Sequence, residues 1–160
     1  MSRKILLGRR LGLLVAATAA LYLILSVAGG VVLMEGALHV PRRPIGQRSV
    51  LEATVSPWAS AVEDATVAAA DGAMLKGWFV QPRAWNGNAV LLLHGVADNR
   101  QGIMQYAPMF LHSGYAVLLP DSRAHGDSGG DHATYGLLES DDVQRWLHWV
   151  RDRESGASGS

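Results

Sequence analysis

Two polar segments hold the residue types that could take part in catalysis, and each follows an apolar run of strand length. The first is the His94-Gly95 pair after residues 89–93, and the second is the Gly-rich loop of residues 121–130 after residues 115–120. A parallel sheet brings such loops together at the carboxyl ends of its strands, where reaction sites form. The pattern therefore predicts one site built from both loops.

A β-hairpin is predicted to precede these two strands. Residues 65–70 and 74–80 flank Asp71-Gly72, which suits a two-residue turn, and Leu75, Gly77 and Phe79 alternate with their neighbours. The spacing of apolar residues predicts a helix between the two later strands, capped by Asp98 or Asn99 and kinked at Pro108, and another over residues 138–151.

This order of elements, a hairpin followed by parallel strands with crossover helices, predicts an α/β sheet. We expect that sheet within a domain of residues 62–154. Residues 35–61 are predicted to be a connector, because Pro41 and Pro44 each push the preceding residue away from helix. Residues 155–160, Ser-Gly-Ala-Ser-Gly-Ser, have the composition of a flexible tail or a truncation point.

The amino-terminal part of the chain predicts a transmembrane signal anchor. Residues 1–10 are basic, and residues 11–34 carry no charge. As a helix this stretch would extend about 36 Å, enough to cross a hydrocarbon core of about 30 Å. Four basic residues precede it and three follow it, at 42, 43 and 48, which favours a cytoplasmic amino terminus. The expected location is therefore the membrane, crossed once.

Two cleaved signals compete with the anchor. A secretory signal peptide has a shorter apolar region, of about 7 to 15 residues, and residues 26–28 form only a weak cleavage site. Arg9-Arg10 suggests a twin-arginine signal, but Gly12 stands where that signal usually carries a bulky residue. We therefore favour the uncleaved anchor.

Composition excludes some partners. Lys plus Arg and Asp plus Glu each total 14, so no basic field is present to bind nucleic acid. The chain has no cysteine, which permits any compartment and excludes disulfides.

A family resemblance rests on two motifs taken together. The first is residues 91–95, Leu-Leu-Leu-His-Gly, followed by Asp98-Asn-Arg100. The second is residues 114–128, Gly-Tyr-Ala-Val-Leu-Leu-Pro-Asp-Ser-Arg-Ala-His-Gly-Asp-Ser, and together they resemble the amino-terminal half of the α/β-hydrolase superfamily. The similarity is greatest to its bacterial, membrane-anchored esterase or serine-aminopeptidase-like branch. The resemblance implies hydrolysis of a small-molecule ester or amide by acyl transfer.

The resemblance also implies roles for individual residues. The backbone N–H of Val96 would form half of the oxyanion hole, with His94 positioning the loop and Gly95 allowing close approach of the backbone. Taken alone, His94-Gly95 also suits a buried histidine before a turn glycine. In the second motif Asp121, Arg123, His125 and Gly126 would be structural, with Asp121 and Arg123 as an ion pair, and Ala124 replaces the usual glycine. A solvated polar loop is the alternative for that motif.

Ser128 matches a nucleophile motif but is not expected to be the nucleophile. Residues 126–130 fit the Gly-x-Ser-x-Gly pattern and also the string around the serine of chymotrypsin-like proteases. The elbow serine of a hydrolase lies directly between a strand and a helix, whereas the predicted strand ends near Pro120. Chymotrypsin-like proteases are all-β, unlike this pattern. We therefore expect a loop or capping role for Ser128, and little effect from its replacement by alanine.

No cofactor is expected, and a metal site has weak support. His125, Asp127, Asp131 and His132 cluster in sequence and are suitable zinc ligands, but their spacing matches no binuclear hydrolase pattern. In the α/β-hydrolases the nucleophile, acid and base come later in the chain. We therefore expect an amino-terminal fragment of a membrane-anchored serine hydrolase, inactive alone. The alternative is a non-catalytic, membrane-tethered interaction module.

Overall fold

A computed structural model describes the backbone of residues 3–157 and the side chains of residues 7–153. The chain forms two units, Met1–Ala37 and Leu38–Ser160. The first consists of helix α1, which spans Arg3–Leu38. This helix continues beyond the predicted residues 11–34 on both sides because no proline interrupts it before Pro41. Its stretch Leu7–Leu38 is long and apolar enough to cross a membrane, and suits either an anchor or a signal sequence.

The second unit has a four-stranded mixed sheet with helices on both faces. Its strands are β1 (Ala59–Ala68), β2 (Met74–Pro82), β3 (Ala89–Leu91) and β4 (Ala116–Pro120). They lie in the order β1-β2-β4-β3. The β1–β2 and β2–β4 pairs are antiparallel, whereas β3 and β4 are parallel. The α/β fold class predicted from the sequence is confirmed.

The helices of this unit are short except for the last. They are α2 (Arg48–Val55), α3 (Arg100–Ile103), α4 (Ala107–His112) and α5 (Glu139–Ala157), with a 3-10 turn over Met104–Tyr106. The single helix predicted between β3 and β4 is thus broken, and Pro108 lies in the first turn of α4. Proline is tolerated there because the N–H that it lacks would have no acceptor within the helix at a helix start. Asn99 caps α3 through its side chain, which accepts a hydrogen bond from Gln101 N–H.

Strand alternation divides the core between the two faces of the sheet. Leu119 and Trp78 pack with α2 and α4 on one face, whereas Leu118 and Phe79 pack with Trp146 of α5 on the other. Because successive side chains of a strand point to opposite faces, buried β4 must be apolar throughout. All five of its residues are buried.

The hairpin turn differs from the predicted two-residue form. Ala69 N–H donates to Ala73 O and Gly72 N–H donates to Ala69 O, so the turn has three residues between its last paired positions. Gly72 has φ +86°, the left-handed conformation that closes such a turn with a bulge.

The folded unit is larger than the predicted domain of residues 62–154. Within the predicted connector, α2 packs into the core through Leu51 and Val55, both fully buried. The strand β1 also begins at Ala59. Pro41 and Pro44 precede this helix and do not prevent it. At the other end Ser155 to Ala157 continue α5, so this part of the predicted tail is helical, and residues 158–160 lie outside the described residues.

Candidate functional site

Two loops at the carboxyl ends of β3 and β4 form a small cleft. We call residues 92–99 the β3 loop and residues 121–130 the β4 loop. Because β3 and β4 are parallel neighbours, their loops leave the same edge of the sheet. Both loops line a cleft of about 100 Å³, which is closed on its other side by residues between the β4 loop and α5. Its lining consists of His94, Gly95, Val96, Ser122, His125, Ala133, Tyr135, Gly136 and Glu139.

Val96 presents an amide that is not used within the fold. The side chain of Val96 is 62% exposed and lines the cleft. In the described part of the chain, no atom accepts a hydrogen bond from its N–H. The next amide, that of Ala97, donates to His125 Nε2 over 3.2 Å. Ala97 has φ +59°, a conformation that alanine rarely adopts.

His94 links the two loops and is held on both sides of its ring. Its Nε2 accepts a hydrogen bond from Ser122 N–H over 3.0 Å, and its Nδ1 lies 2.8 Å from Gly95 O. A backbone N–H can only donate, so the proton of this imidazole must be on Nδ1. Because both ring nitrogens already have partners, His94 has no nitrogen available to accept a proton from a nucleophile. Its contacts hold the β3 loop in place.

Gly95 has open space where a side chain would begin. No atom lies within 4 Å of the position that a Cβ would occupy. No group of the described residues therefore occupies this space. The space lies beside the Val96 amide in the same cleft, so a larger residue at position 95 would occupy room that the cleft leaves open.

Asp121 is the buried centre of the β4 loop. Its carboxylate accepts hydrogen bonds from Arg100 N–H and Nη1, over 2.8 and 2.9 Å, and from Asp127 N–H over 2.9 Å. Burial raises the pKa of the Asp121 carboxyl, although the hydrogen bonds from Arg100 and Asp127 oppose the shift. Gly126 crosses directly above, and a Cβ there would lie 2.2 Å from Asp121 Oδ2. Glycine is required at this position.

The predicted ion pair between Asp121 and Arg123 is not formed. The chain turns after Ser122, whose carbonyl accepts a hydrogen bond from His125 N–H, and this turn directs Arg123 away from Asp121. Arg123 instead makes two hydrogen bonds to Asp142 of α5, over 2.8 and 2.9 Å, and one to Asp71 in the hairpin turn. The hydrogen bonds to Asp142 and Asp71 raise the pKa of Arg123. The hydrogen bond from Arg123 lowers the pKa of Asp71.

Ser128 is fully buried and bonded to the backbone. Its hydroxyl accepts a hydrogen bond from Lys76 N–H over 2.9 Å and donates one to Asp121 O over 2.8 Å. These contacts fasten the β4 loop to β2 and leave the hydroxyl without access to solvent. The expectation that alanine at position 128 has little effect is therefore replaced, because its loss would leave a buried donor and acceptor unpaired.

The four residues of the candidate metal cluster are engaged differently from one another. Both ring nitrogens of His125 contact backbone atoms, since Nδ1 lies 2.8 Å from Arg123 O and Nε2 accepts from Ala97 N–H. Asp127 accepts a hydrogen bond from Arg100 Nη2. His125 and Asp127 thus already have partners, whereas Asp131 and His132 are exposed and line a neighbouring surface.

Several residues that shape the site had no signal in the sequence. Arg42 donates to the carbonyl oxygens of Gly126, Ser128 and Gly130, which holds the β4 loop from outside. Arg100 lies in α3, within the predicted helical region, and the sequence did not indicate that its side chain is the buried partner of Asp121. These contacts join residues far apart in the chain, so local patterns cannot reveal them.

Glu139 is the first residue of α5 and also lines the cleft. Partial burial of its carboxyl opposes ionisation, yet hydrogen bonds from Thr134 and Gly136 outweigh this effect and lower the pKa of Glu139. Its carboxylate accepts from Thr134 N–H and Oγ1 and from Gly136 N–H. Thr134 in turn accepts from Leu138 N–H, a reciprocal capping arrangement at the start of α5.

Similar solved structures are esterases and α/β-hydrolases. The esterase Pf2001 of Pyrococcus furiosus superposes with a TM-score of 0.60 and 29% identity, covering 72% of this chain and 43% of the esterase chain. An alpha-beta hydrolase from Vibrio vulnificus superposes with a TM-score of 0.54 and 22% identity, covering 72% of this chain and 38% of that one. This chain has part of the α/β-hydrolase fold.

One curated protein is similar in sequence over about half of this chain. An uncharacterized protein, YqkD, of Bacillus subtilis (strain 168) is 33% identical over 87 residues, which cover 54% of this chain and 28% of YqkD. No protein-family model matches the chain. The residues with the hydrolase fold here thus span less than half of the length of these similar proteins.

Proposed function

We propose that this chain supplies the oxyanion-hole loop of a membrane-anchored serine hydrolase that cleaves small esters or amides. The observation that carries the proposal is the Val96 amide, which has no acceptor among the described residues and lines a cleft at the carboxyl ends of parallel strands. The partial α/β-hydrolase fold and its likeness to an esterase support the same reaction class.

The reaction is acyl transfer. A serine oxygen attacks the substrate carbonyl carbon while a base takes the serine proton, and the carbonyl oxygen becomes negatively charged. Val96 N–H donates a hydrogen bond to this oxygen, and one such donor is worth about 2.7 to 4 kcal/mol in the transition state. Collapse of the intermediate breaks the ester or amide bond, the leaving group takes up the proton, and water then hydrolyses the acyl-enzyme.

The nucleophile, its base and the acid belong, in this proposal, to polypeptide outside these 160 residues. Ser128 is buried and bonded to backbone atoms, and His94 and His125 each have both ring nitrogens occupied. The chain spans 43% of the Pf2001 chain, so a large part of that hydrolase fold has no counterpart here. The 160 residues alone are therefore expected to have no esterase turnover.

The helix α1 anchors the protein in this proposal. Its stretch Leu7–Leu38 is apolar, and residues 1–10 carry four basic residues without an acidic one. The positive-inside rule then places the amino terminus in the cytoplasm. A protease-protection assay on membranes from expressing cells tests this topology, because a cleaved signal sequence would release the folded unit into the soluble fraction.

A fluorophosphonate probe tests the reaction class. The 160-residue chain should not be labelled. A longer protein, expressed from DNA that continues beyond codon 160, should be labelled at a serine in a Gly-x-Ser-x-Gly motif. Labelling of Ser128 would overturn the assignment of the nucleophile. Downstream DNA without such a motif would contradict the proposal that the rest of the active site lies there.

The Val96 amide is tested in the product that the probe labels. The change Val96→Pro removes the N–H and should lower ester turnover about 100- to 1,000-fold. Val96→Ala keeps the N–H and serves as the matched control, with turnover expected near that of the parent. Unchanged turnover in a folded Val96→Pro variant would remove Val96 from the mechanism.

A second candidate is a non-catalytic, membrane-tethered interaction module. The observation that favours it is the position of β3, which pairs with β4 on one side only in the described sheet and so presents an open edge. If the 160-residue chain is monomeric, unfolds cooperatively and remains unlabelled together with every longer product, the interaction module becomes the better account.

A further inference from the structure

Two histidines tie the β3 and β4 loops to each other in a reciprocal way. His94 of the β3 loop accepts the N–H of Ser122 in the β4 loop, over 3.0 Å. His125 of the β4 loop accepts the N–H of Ala97 in the β3 loop, over 3.2 Å. Both bonds end on Nε2, and the ring centroids are 5.2 Å apart. We call this pair of crossed hydrogen bonds the histidine clasp.

The protonation state of the clasp follows from its donors. Because backbone N–H groups can only donate, each Nε2 must carry a lone pair and each proton must be on Nδ1. The carbonyl oxygens of Gly95 and Arg123 lie 2.8 Å from those Nδ1 atoms and accept the protons. A second proton on either ring would place an N–H against an N–H and break the crossed bond. The clasp therefore requires both imidazoles to be neutral.

The clasp binds the amide that follows the proposed oxyanion donor. Val96 and Ala97 have successive N–H groups beside the cleft. His125 binds the second, and the first has no acceptor among the described residues. The same bond secures Ala97 at φ +59°, a left-handed conformation that alanine rarely adopts and that needs a fixed partner to persist.

We propose that His94 and His125 are positioning residues for the oxyanion donor, and that they hold Val96 N–H in place only while both are neutral. The proposal rests on the function proposed above, because it assigns a purpose to the free amide. Its geometry, however, can be measured on the 160-residue chain without any turnover.

Other titratable groups surround the clasp and must be separated from it. Asp98 and Asp121 lie close enough to His94 for their carboxylates to interact with it electrostatically. Glu139 and Tyr135 line the cleft from the side of α5. Arg100, Arg123 and Asp127 complete the charged neighbours through their contacts with Asp121 and the β4 loop.

The tautomers of the two imidazoles are the first test. Histidine side-chain ¹⁵N shifts of the full 160-residue chain in detergent micelles should show both His94 and His125 neutral at pH 8 and protonated at Nδ1. This measurement needs no substitution, so it cannot fail through unfolding of a variant. An Nε2-protonated tautomer at either residue would overturn the proposal.

Amide hydrogen exchange provides the second test. In His125→Phe, which keeps a ring but removes the acceptor, exchange protection of the Ala97 amide should fall about 2- to 10-fold while Ser122 keeps its own. His94→Phe should do the reverse. His125→Gln restores an acceptor near the Nε2 position and should recover protection of Ala97. Unchanged protection in folded His125→Phe would overturn the proposal.

A matched control separates the clasp from general effects of histidine replacement. His112 is exposed at the end of α4, and His112→Gln should leave both protection factors unchanged. Acidification should remove the protection of Ala97 and Ser122 together, because a proton on either Nε2 replaces the acceptor with a donor. The same loss in Glu139→Gln would exclude that carboxylate as its source, whereas retention of protection down to pH 4 would contradict the clasp.

The activity arm distinguishes this proposal from the proposed function. In a product that the fluorophosphonate probe labels, His125→Phe should lower kcat with little change in KM, and His125→Gln should restore kcat. If no product is labelled but the tautomers and exchange behave as described, the function fails and the clasp stands. If labelling occurs and the exchange pattern is absent, the clasp fails and the function stands.

Discussion

The β3 loop and the β4 loop meet at one cleft but are built in opposite ways. The β4 loop buries Asp121 and Ser128 completely and supplies their hydrogen-bond partners from β2, α3 and its own backbone. The β3 loop leaves Gly95 and Val96 exposed, and the Val96 amide has no acceptor among the described residues. Buried polar groups are costly without partners, so the first loop must be satisfied internally. An amide that is to bind a substrate oxygen must instead be left free.

Stability and chemistry are assigned to different residues of this site. A substitution at Asp121 or Ser128 should chiefly change the free energy of unfolding, because these side chains are partners of buried groups. A substitution at Gly95 or Val96 should chiefly change what the cleft can bind.

The largest expected effect is at Asp121. The change Asp121→Ala leaves the buried guanidinium of Arg100 without its main partner and should destabilise the folded unit by about 3–5 kcal/mol. Asp127 also contacts Arg100 but its side chain is 55% exposed, so Asp127→Ala should cost less than about 1 kcal/mol. Denaturant unfolding of the chain in micelles measures both. Equal losses would contradict the division between buried and exposed partners.

A pair of glycine substitutions compares the two loops directly. Gly126→Ala forces a Cβ to 2.2 Å from Asp121 Oδ2 at φ +47°, and should cost about 2–5 kcal/mol from strain and overpacking. Gly95→Ala meets no atom within 4 Å and should change stability by less than about 1 kcal/mol. In an active product, however, Gly95→Ala should reduce turnover by filling the cleft. A large stability loss in Gly95→Ala would contradict the predicted difference between the two glycines.

Acid should lower the free energy of unfolding through Glu139, which lines the cleft from the side of α5. The pKa of Glu139 is lower in the folded state than its ordinary value of 4.5, so its contribution is present above pH 4.5 and is lost as the pH falls through the folded pKa. Between these values the unfolded state binds more protons, and stability rises with pH. Thermal unfolding from pH 6 down to pH 3 should therefore show a smaller decline in Glu139→Gln than in the parent. An unchanged decline would exclude Glu139 as a contributor.

The smallest expected effect concerns strain in the β3 loop. Ala97 is exposed and has φ +59°, so Ala97→Gly relieves the left-handed conformation and should raise stability by up to about 1 kcal/mol. Ala84 is also exposed but has no positive φ, so Ala84→Gly should bring no gain. Melting temperatures of the two variants provide the comparison, and a loss of stability in Ala97→Gly would show that the residue is not strained.

The sheet could be predicted from sequence because its signals are local. Alternation in β2 and the unbroken apolar run of β4 reflect burial on one or both faces, and both strands form where these patterns lie. The last helix follows from the spacing of Trp146 and Val150, which are buried against the sheet. The turn between β1 and β2 was placed correctly but not its length, since Asp-Gly suits more than one turn type.

The partners of charged residues could not be predicted in the same way. Asp121 and Arg123 are close in sequence and opposite in charge, yet a turn at Ser122 sends them to Arg100 and Asp142. The helix α2 was missed because it is short and follows two prolines. The contacts of Arg42 span 84 to 88 residues of chain, so they exist only once the β4 loop has folded.

The three carbonyl contacts of Arg42 have a practical consequence for preparing a soluble form. Removing the apolar helix at a boundary placed by hydropathy and proline content could cut anywhere up to residue 47. Such a cut would delete Arg42 together with Leu38, whose carbonyl accepts Ala133 N–H at the rim of the cleft. A shortened version intended for crystallisation or assays should therefore start no later than Leu38.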